Sequence, residues 1–332
     1  MRTTIFNLFV LVALMNLTSC SNEEMDKDLS PGSGPELTLT ITVETPEDQM
    51  GEFADNAMAI FDGKVWSFGG ENDYSGPGQY TSQLWNSTNG VHWATVPTTG
   101  LGAEGRHAHT LTAFNGSLYI IGGEDNVGNW LGDIWKSDDG MTWTNPFGLV
   151  PFGEIIGHQT IVYNSKMYVI AGDISTGNTK VYSTVDGNSW VEETNNAFPA
   201  RVSHKAVVFN GAMYVIGGET IASTKLNEIW TSINGVNWTQ VSTTGTIFSP
   251  RNGHTATVYN GKTWITGGRT SSGFGNDIWY SSNMIDWTNY EGFLIEDDLR
   301  QHTALHYNDA LWLFGGYNDS GVTGQIVSVK ED

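Results

Sequence analysis

The sequence of this chain repeats one unit six times, and the clearest mark of each copy is an apolar run closed by a Gly-Gly or Ala-Gly pair. The runs begin at Val65, Leu118, Met167, Met213, Thr263 and Leu311. Their spacing is roughly 50 residues, a period typical of repeat architectures. A nearly uninterrupted apolar run of this length predicts a β-strand that is buried on both faces, so each copy must pack between two neighbours.

Turn signals divide each copy into four short strands, denoted a to d. In the second copy, Asn115-Gly116 separates strand a from strand b and predicts a tight hairpin. Asp139-Gly140 separates strand c from strand d and predicts a second hairpin of the same kind. The four predicted strands of that copy are Leu111–Phe114, Leu118–Ile121, Ile134–Ser137 and Met141–Thr144. Each copy is therefore expected to form one antiparallel blade.

Aromatic residues recur in the later strands. Strand c carries Trp85, Trp135, Tyr182, Trp230 and Trp279, and strand d carries Trp93, Trp143, Trp190, Trp238 and Trp287. With the Gly-Gly pair and an Arg- or His-led strand a, these positions resemble the kelch family of β-propellers over residues 53–332. The resemblance implies an all-β, six-bladed kelch-type β-propeller, one domain over residues 36–332, with blades near 53–97, 105–145, 155–192, 201–241, 251–290 and 300–332. This scaffold carries enzymes, adhesins and adaptors alike, so the fold alone assigns no function.

The two ends of the predicted propeller complement each other. Residues 37–43 alternate apolar and polar side chains before the first copy, as an isolated strand would. The sixth copy stops at Asp332 without a strand d. Pairing the first strand with the last blade would close the ring and remove an exposed edge. Deleting residues 37–43 is expected to leave an open, aggregation-prone chain.

The first 35 residues predict export and a lipid anchor. Residues 1–19 combine Arg2, a short apolar run and a small-residue cleavage site, which resembles a bacterial lipoprotein signal peptide. Cys20, the only cysteine, would carry the lipid and would be the only contact with the membrane. Residues 20–35 would form an acidic flexible tether on an outer-membrane lipoprotein. The alternatives are an ordinary secretory signal with an incidental cysteine and, for the acidic run Ser21–Glu24, a merely solvated linker instead of a signal for the outer face.

The net charge of the chain restricts the class of partner that it is expected to bind. The chain carries 15 Lys and Arg against 36 Asp and Glu, which argues against nucleic-acid binding. The arginines outside the signal peptide all fall on the face where strand a begins and strand b ends, which we call the mouth of the propeller. They are Arg106, Arg201, Arg251, Arg269 and Arg300. Arginine suits bidentate carboxylate recognition, so these residues are candidate ligand-binding groups for an anionic glycan or an acidic partner protein.

A structural role for the same arginines is the competing interpretation. Acidic residues directly follow the closing glycine of strand b and could pair with them: Glu71, Glu124, Asp173 and Glu219. Arg269 replaces the acidic residue of its own blade, so it has no such local partner and is the sharper ligand candidate.

Five histidines occupy one equivalent position in strand a, where the first copy has Asn56: His109, His158, His204, His254 and His302. Such a ring suggests a metal, but adjacent blades hold these positions too far apart for ligand distances of about 2 Å to one ion. Hydrogen bonding between blades, or lining of the central channel, is the favoured interpretation. No metal and no other cofactor is predicted.

Aromatic side chains complete the candidate site. Trp130 is the one tryptophan outside the repeat positions, in the b–c loop of blade 2 on the mouth. It would serve as a platform for a sugar ring or a partner side chain, or it would fold over its own loop. The corresponding loops of other blades carry Tyr74, Tyr80, Phe274 and Tyr317, and Tyr317 joins the candidate ligand-binding set.

Two functions from different classes fit these features. The first is a cell-envelope binding module, expected to be monomeric, that holds an anionic glycan or a partner protein at the mouth. The second is an enzyme on an acidic sugar, because six-bladed kelch propellers in bacterial envelopes include sialic acid mutarotases, which this chain resembles in blade number, compartment and the charge of its mouth. Glu124 or Glu219 would then act as acid or base, with Arg251 or Arg269 as carboxylate clamp.

Two further functions are alternatives, and a third is excluded by the sequence. A uronate polysaccharide lyase would use the mouth histidines as bases. An adaptor scaffold would prefer an acidic peptide. Copper galactose oxidase chemistry is excluded because it needs a cysteine crosslinked to tyrosine, whereas Cys20 is the only cysteine in the chain.

Overall fold

A computed structural model of the chain describes residues 37–332, except 45–49, 73–78, 103, 146–149, 171, 173–176, 291–298 and 319. Its strands form six antiparallel blade sheets, five of them with four strands in the order a, b, c, d and one with three, together with three two-stranded pairs. This is the six-bladed β-propeller that the repeats predict. The described part of the chain contains no helix that could cross a membrane.

Four blades draw all their strands from one stretch of chain. Blade 1 has Ala57–Phe61, Lys64–Phe68, Leu84–Ser87 and Ala94–Val96. Blade 3 has Gln159–Tyr163, Lys166–Ile170, Val181–Thr184 and Trp190–Thr194. Blade 4 has Lys205–Phe209, Ala212–Ile216, Ile229–Ser232 and Thr239–Gln240. Blade 5 has Thr255–Tyr259, Lys262–Thr270, Gly273–Ser281 and Thr288–Tyr290.

The other two blades depart from this scheme. Blade 2 has Thr110–Phe114, Ser117–Ile121 and Ile134–Ser137, and a single bridge from Lys136 to Thr144 stands for its strand d. Blade 6 has Thr303–Tyr307, Ala310–Phe314 and Ile326–Glu331, and takes Leu39–Glu44 as its strand d. Short pairs extend three blades: Phe53–Ala54 with Glu71–Asn72, Arg106–His107 with Glu124–Asp125, and Tyr317–Asn318 with Gly321–Val322.

The ring closes as the sequence predicts. Leu39–Glu44 runs antiparallel to Ile326–Glu331, with Leu39 opposite Glu331 and Glu44 opposite Ile326. The first strand of the propeller therefore covers the edge that the sixth copy leaves open, and no chain end has to pair with another molecule.

The hairpin between strands a and b follows from its dipeptide. Both residues of the turn have positive φ in every blade, for example 48° at Asn115 and 76° at Gly116. Two such residues make a type I′ turn, whose twist matches that of the flanking strands. The prediction of this hairpin is confirmed.

The turn between strands c and d is different from the predicted hairpin. At Ser137–Thr142 only the glycine of Asp139-Gly140 has positive φ. The Asp139 carboxylate instead accepts the backbone N–H groups of Met141 and Thr142, both at 2.7 Å. The Ser137 hydroxyl accepts from the N–H of Gly140 at 2.8 Å. Side chains rather than a mirror-image turn therefore reverse the chain here.

The hydrophobic core lies between blades. Each of five buried clusters combines side chains of two consecutive blades around the ring, such as Phe68 of blade 1 with Trp143 of blade 2. Every residue of Ser117–Ile121 is buried, as expected for a strand b packed on both faces. A blade has no complete core of its own, so the six repeats form one domain.

The Gly-Gly pair lets adjacent blades approach each other. A Cβ atom on Gly69 would lie 2.6 Å from the carbonyl oxygen of Arg106 in the next blade. The N–H of the following residue, Gly70, donates to that same oxygen at 2.8 Å. The equivalent bond from Gly316 to Phe53, at 2.7 Å, crosses the closing seam. The glycines are therefore needed for the inter-blade hydrogen bonds that fix the start of each strand a.

Candidate functional site

One residue from each blade surrounds the channel at the mouth, directly before the repeated histidine or Asn56. These six residues, which we call the collar, are Asp55, Ala108, Gly157, Ser203, Gly253 and Gln301. Backbone hydrogen bonds link neighbouring collar residues, including Asp55 N–H to Gln301 O at 2.9 Å and Gln301 N–H to Gly253 O at 2.8 Å. All six line a cavity of about 290 Å³ on the channel.

The collar backbone is strained at the positions that are not glycine. All six residues lie in the left-handed region, with φ of 56° at Asp55, 51° at Ala108, 54° at Ser203 and 52° at Gln301. Residues other than glycine seldom occupy this region, and they concentrate at functional sites. The strain is part of what aims the Asp55 and Gln301 side chains at each other across the seam between blades 6 and 1.

Asp55 is the centre of a charged group at the rim of this cavity. Its Oδ2 atom lies 2.7 Å from Nδ1 of His107 and accepts from Nε2 of Gln301 at 3.1 Å. The three residues come from blades 1, 2 and 6. A carboxylate held in this way fixes the orientation of the imidazole and of the amide.

His107 lies between two carboxylates. Its Nε2 is 3.7 Å from Oε1 of Glu124, and its ring stacks on Tyr80 with centroids 4.0 Å apart. Burial by itself would lower the pKa of His107, but the hydrogen bond and charge of Asp55 and the charge of Glu124 outweigh it and raise the pKa above the usual value. We call Asp55, Tyr80, His107, Glu124 and Gln301 the mouth cluster.

The same interaction holds the Asp55 carboxyl ionised. Burial would raise the pKa of Asp55, but the hydrogen bond to His107 and the positive charges of His107 and Lys205 lower it overall. The cluster thus places a hydrogen-bonded imidazole beside a carboxylate on the same cavity, a pair of groups that can donate and accept a proton.

Lys205 lies deeper in the channel, immediately after the repeated histidine of blade 4. It lines the 290 Å³ cavity and a second cavity of about 220 Å³ beneath the collar. Desolvation by burial lowers the pKa of Lys205, and the charge of Asp55 offsets part of that effect.

The repeated histidines are buried and neutral. Burial lowers the pKa of His109, His158, His204 and His302 to about 3, and that of His254 well below its usual value. His158 lies 3.2 Å from the hydroxyl of Thr110 in blade 2, and His302 lies 2.7 Å from that of Thr266 in blade 5. These two imidazoles bond across blade seams, as the favoured interpretation expects. Among the described residues, no three His, Cys, Asp or Glu side chains come together as metal ligands.

Three of the five candidate arginines are engaged within their own blades. Arg106 forms a bidentate pair with Asp133, at 2.7 and 2.9 Å, and Arg251 does so with Asp277, at 2.6 and 2.7 Å. Arg201 contacts Glu228 at 2.7 Å. We call Arg106, Arg201 and Arg251 the blade arginines; all three are buried.

The partners of the blade arginines differ from those expected. The accepting carboxylates directly precede a buried isoleucine of strand c, namely Ile134, Ile229 and Ile278, and do not directly follow the closing glycine of strand b. Glu124 and Glu219 are therefore not the partners. The same guanidinium groups also donate to the first glycine carbonyl after strand b, for example Arg251 to Gly267 at 2.8 Å. Their geometry matches the structural interpretation, since the donors already face partners inside the blade.

Arg300 and Arg269 are placed differently. Arg300 lies two residues before its histidine instead of three, with its guanidinium between the rings of Phe274, at 4.6 Å, and Tyr317, at 4.7 Å. The Tyr317 hydroxyl donates to Glu71 at 2.5 Å, and burial together with that bond raises the pKa of Tyr317. Arg269 is exposed and makes no ion pair with any described residue.

The remaining candidates lie around the mouth. Trp130 is half-buried and donates its indole N–H to Glu124 at 3.1 Å, so it folds over its own loop while holding a member of the mouth cluster. Glu219 lines the 290 Å³ cavity. Cys20, Tyr74 and Asp173 lie outside the described residues.

Sequence reasoning missed four residues of this site: Asp55, His107, Lys205 and Gln301. Each is a departure from its repeat, and that signal was available. His107 lies where the other blades carry Ala54, Ile156, Val202, Asn252 and Arg300, and Lys205 where they carry Ala57, Thr110, Gln159, Thr255 and Thr303. Aligning the copies on the histidine, rather than on the arginine, would have exposed them.

Comparison with known proteins agrees with this architecture. The KLHDC2/KLHL20/DRC7 Kelch-repeats domain model matches residues 157–320, just under half of the chain, and these kelch repeats agree with the six blades of the structure. The solved chain titled "Structure of YjhT" is similar with a TM-score of 0.67 and 16% sequence identity, covering 86% of this chain and 99% of that chain. At that identity the similarity concerns the fold. No curated protein sequence matches significantly.

Proposed function

We propose that the mouth of this propeller binds a small acidic sugar, and that His107 and Asp55 act on it as an acid–base pair in a proton transfer of the mutarotase type. The observation that carries the proposal is the His107–Asp55 contact of 2.7 Å at the rim of a polar cavity of about 290 Å³. Opening and closing a sugar ring needs one proton donor and one acceptor near the anomeric carbon, and no cofactor.

The charge state supports these roles. The hydrogen bond and charge of Asp55 raise the pKa of His107 and so favour its proton-donating form, while the lowered pKa of Asp55 keeps its carboxylate available to a hydroxyl group. Glu124, 3.7 Å from the other ring nitrogen, would take part in returning the proton to His107. The resemblance of the repeats to sialic acid mutarotases points to the same class of reaction.

Anomer exchange measured by NMR tests the proposal directly. Residues 37–332 would be mixed with sialic acid, glucuronic acid and glucose, and the exchange rate of the anomeric signals recorded. The protein is expected to accelerate exchange of at least one acidic sugar. His107→Gln should lower that acceleration by about 100-fold, the lower end of the usual contribution of a general acid.

The matched control is His92→Gln, which changes an exposed histidine in the c–d turn of blade 1. It should leave the rate unchanged. If neither acidic sugar exchanges faster with the unmodified protein, the enzymatic proposal is wrong. Binding of the sugar without faster exchange would leave a binding module.

We further propose, from the sequence, that the chain is an exported lipoprotein anchored through Cys20 in the outer membrane. Mass spectrometry of the protein from a bacterial membrane fraction should find acyl chains on Cys20 as the new N-terminus. A Cys20→Ser variant should be recovered without lipid, and a lipid-free native protein would contradict the proposal.

A further inference from the structure

We infer that Lys205, rather than any of the arginines, is the group that recognises the negative charge of the ligand, and that the cavity under the collar takes a carboxylate. This inference rests on the proposed function and deepens it, because it names the charge that the ligand must carry and the residue that recognises this charge.

The position of Lys205 in the repeat is the first observation. The six residues directly after the repeated histidine or Asn56 form one level of the channel: Ala57, Thr110, Gln159, Lys205, Thr255 and Thr303. Lys205 is the only charged member. A cation at this level therefore faces neutral groups from every other blade.

The cavity lining shows that Lys205 faces the channel. It lines the 220 Å³ cavity together with the other five residues of its level. Its charge also contributes to lowering the pKa of His204, His254, His302 and Asp55, which belong to blades 4, 5, 6 and 1. The three histidines are neutral, so they bring no compensating charge.

The Lys205 side chain has no hydrogen-bond or ion-pair partner among the described residues. Its ammonium makes no hydrogen bond there and no ion pair within 4.0 Å. Asp55, the carboxylate that acts on it electrostatically, already binds His107 and Gln301. Glu219 lines the same cavity but contributes nothing to the pKa of Lys205. By contrast, each blade arginine has a carboxylate within 2.7 Å.

Lys205 is half-buried on the channel wall, where burial lowers its pKa, and a partly desolvated cation without a protein partner costs stability unless a ligand supplies the missing charge. The lined space on both sides of Lys205 admits a small ligand, and a carboxylate there would supply the missing partner. A sugar acid could then place its carboxylate on Lys205 and its ring at the collar, within reach of the mouth cluster.

Affinity of three variants for paired ligands tests this inference. Dissociation constants for glucuronic acid and glucose would be measured for the unmodified protein, Lys205→Met, Lys205→Arg and the control Lys330→Met, which removes an exposed lysine from the closing blade. Lys205→Met should weaken glucuronic acid at least tenfold and leave glucose unchanged. Lys205→Arg should restore part of the preference, and Lys330→Met should have no effect. Unaltered preference in Lys205→Met would overturn the inference.

A second measurement needs no sugar. After reductive ¹³C-methylation, the Lys205 signal is identified by its absence from Lys205→Met and titrated with base, with and without acetate. We expect a pKa below that of the exposed lysines and an upward shift with acetate. If acetate shifts Lys205 but no sugar acid binds, the anion site stands and the proposed function fails. If sugar acids bind but neither acetate nor Lys205→Met has an effect, the proposed function stands and the assignment to Lys205 is wrong.

Melting temperature separates this role from a structural one. Removing an unpaired, desolvated charge should leave the melting temperature of Lys205→Met equal to or above that of the unmodified protein. A clear decrease would mean that Lys205 supports the fold, and the inference would be withdrawn.

Discussion

The blade arginines and the mouth cluster lie on the same face of the propeller, but they differ in where their charged side chains find partners. Each blade arginine repeats at one position, is buried, and meets a carboxylate of its own blade, as Arg251 does with Asp277 at 2.6 Å. In the mouth cluster, Asp55, His107 and Gln301 do not recur, and they come from three different blades. The recurring arginines are paired within their own blades and support the ring, whereas these three non-recurring residues line the channel cavity.

This difference has a general physical reason. A repeated side chain has the same neighbours in every blade, so its charge can be neutralised within the unit that carries it. A side chain present in one blade has no such repeated partner, so it is free to contact the channel or another blade. In a repeat protein the candidate site is therefore found among the exceptions to the repeat.

The buried histidines should dominate the response to acid. The pKa of four of them is lowered to about 3 and that of His254 is lowered well below its usual value, whereas an unfolded chain protonates histidine near 6.5. The unfolded state therefore binds more protons below pH 6.5, and the free energy of unfolding should fall there by up to about 1.4 kcal/mol per pH unit for each histidine. Chemical denaturation at pH 7, 6 and 5 measures this.

The contribution of His107 to the free energy of unfolding has the opposite pH dependence. Its raised pKa makes protonation stabilising, so its contribution is complete below pH 6.5 and is lost as pH rises through its folded value. Asp55 contributes to stability above its unfolded pKa, and this contribution is lost as pH falls through its lowered folded pKa.

A matched variant for the buried histidines is His254→Asn, since Asn56 occupies the equivalent position in blade 1. It should reduce the acid dependence by the share of one histidine; an undiminished dependence would contradict the assignment.

Removing a blade arginine should destabilise the fold more than removing Arg300, which has no carboxylate partner among the described residues. Arg251→Met removes the guanidinium from which Asp277 and the Gly267 carbonyl accept, leaving Asp277 only the indole N–H of Trp279, and should cost about 3 kcal/mol of unfolding free energy, as breaking a buried ion pair does. Arg300→Met removes only the stacking on Phe274 and Tyr317 and a bond to Gln301, and should cost about 1 kcal/mol. Urea denaturation of both variants decides this, and equal costs would show that Arg300 is also structural.

The smallest expected effect concerns the collar. Ala108 has φ of 51°, a strained value for a residue with a Cβ, and Gly253 occupies the equivalent position at 59°. Ala108→Gly should relieve more strain than the added freedom of the unfolded chain costs, for a net gain of about 0.5 kcal/mol. Gly253→Ala is the reverse experiment and should destabilise. The melting temperatures of the two variants should move in opposite directions, and a shift of both in one direction would refute the strain argument.

Much of the fold was predictable because it depends on local chemistry and on period. The apolar runs predicted the buried strands b, the Asn-Gly pairs predicted the a–b turns, and the alternation in residues 37–43 predicted the closing strand. The c–d turn was assigned to the wrong type, because the dipeptide Asp139-Gly140 does not reveal that the Ser137 and Asp139 side chains cap the backbone.

The sequence by itself determined the six blades, the closure of the ring and the face on which the arginines lie, because each follows from patterns within one repeat. Only the tertiary structure decided which charges are paired. Asp55 and Gln301 are 246 residues apart in sequence, and their contact depends on the angle at which six blades surround one channel. Arg106 and Asp133 are 27 residues apart, and they pair because strands a and c of one blade begin at the same end of the sheet. Pairing depends on distance in space, which repeat spacing alone does not supply.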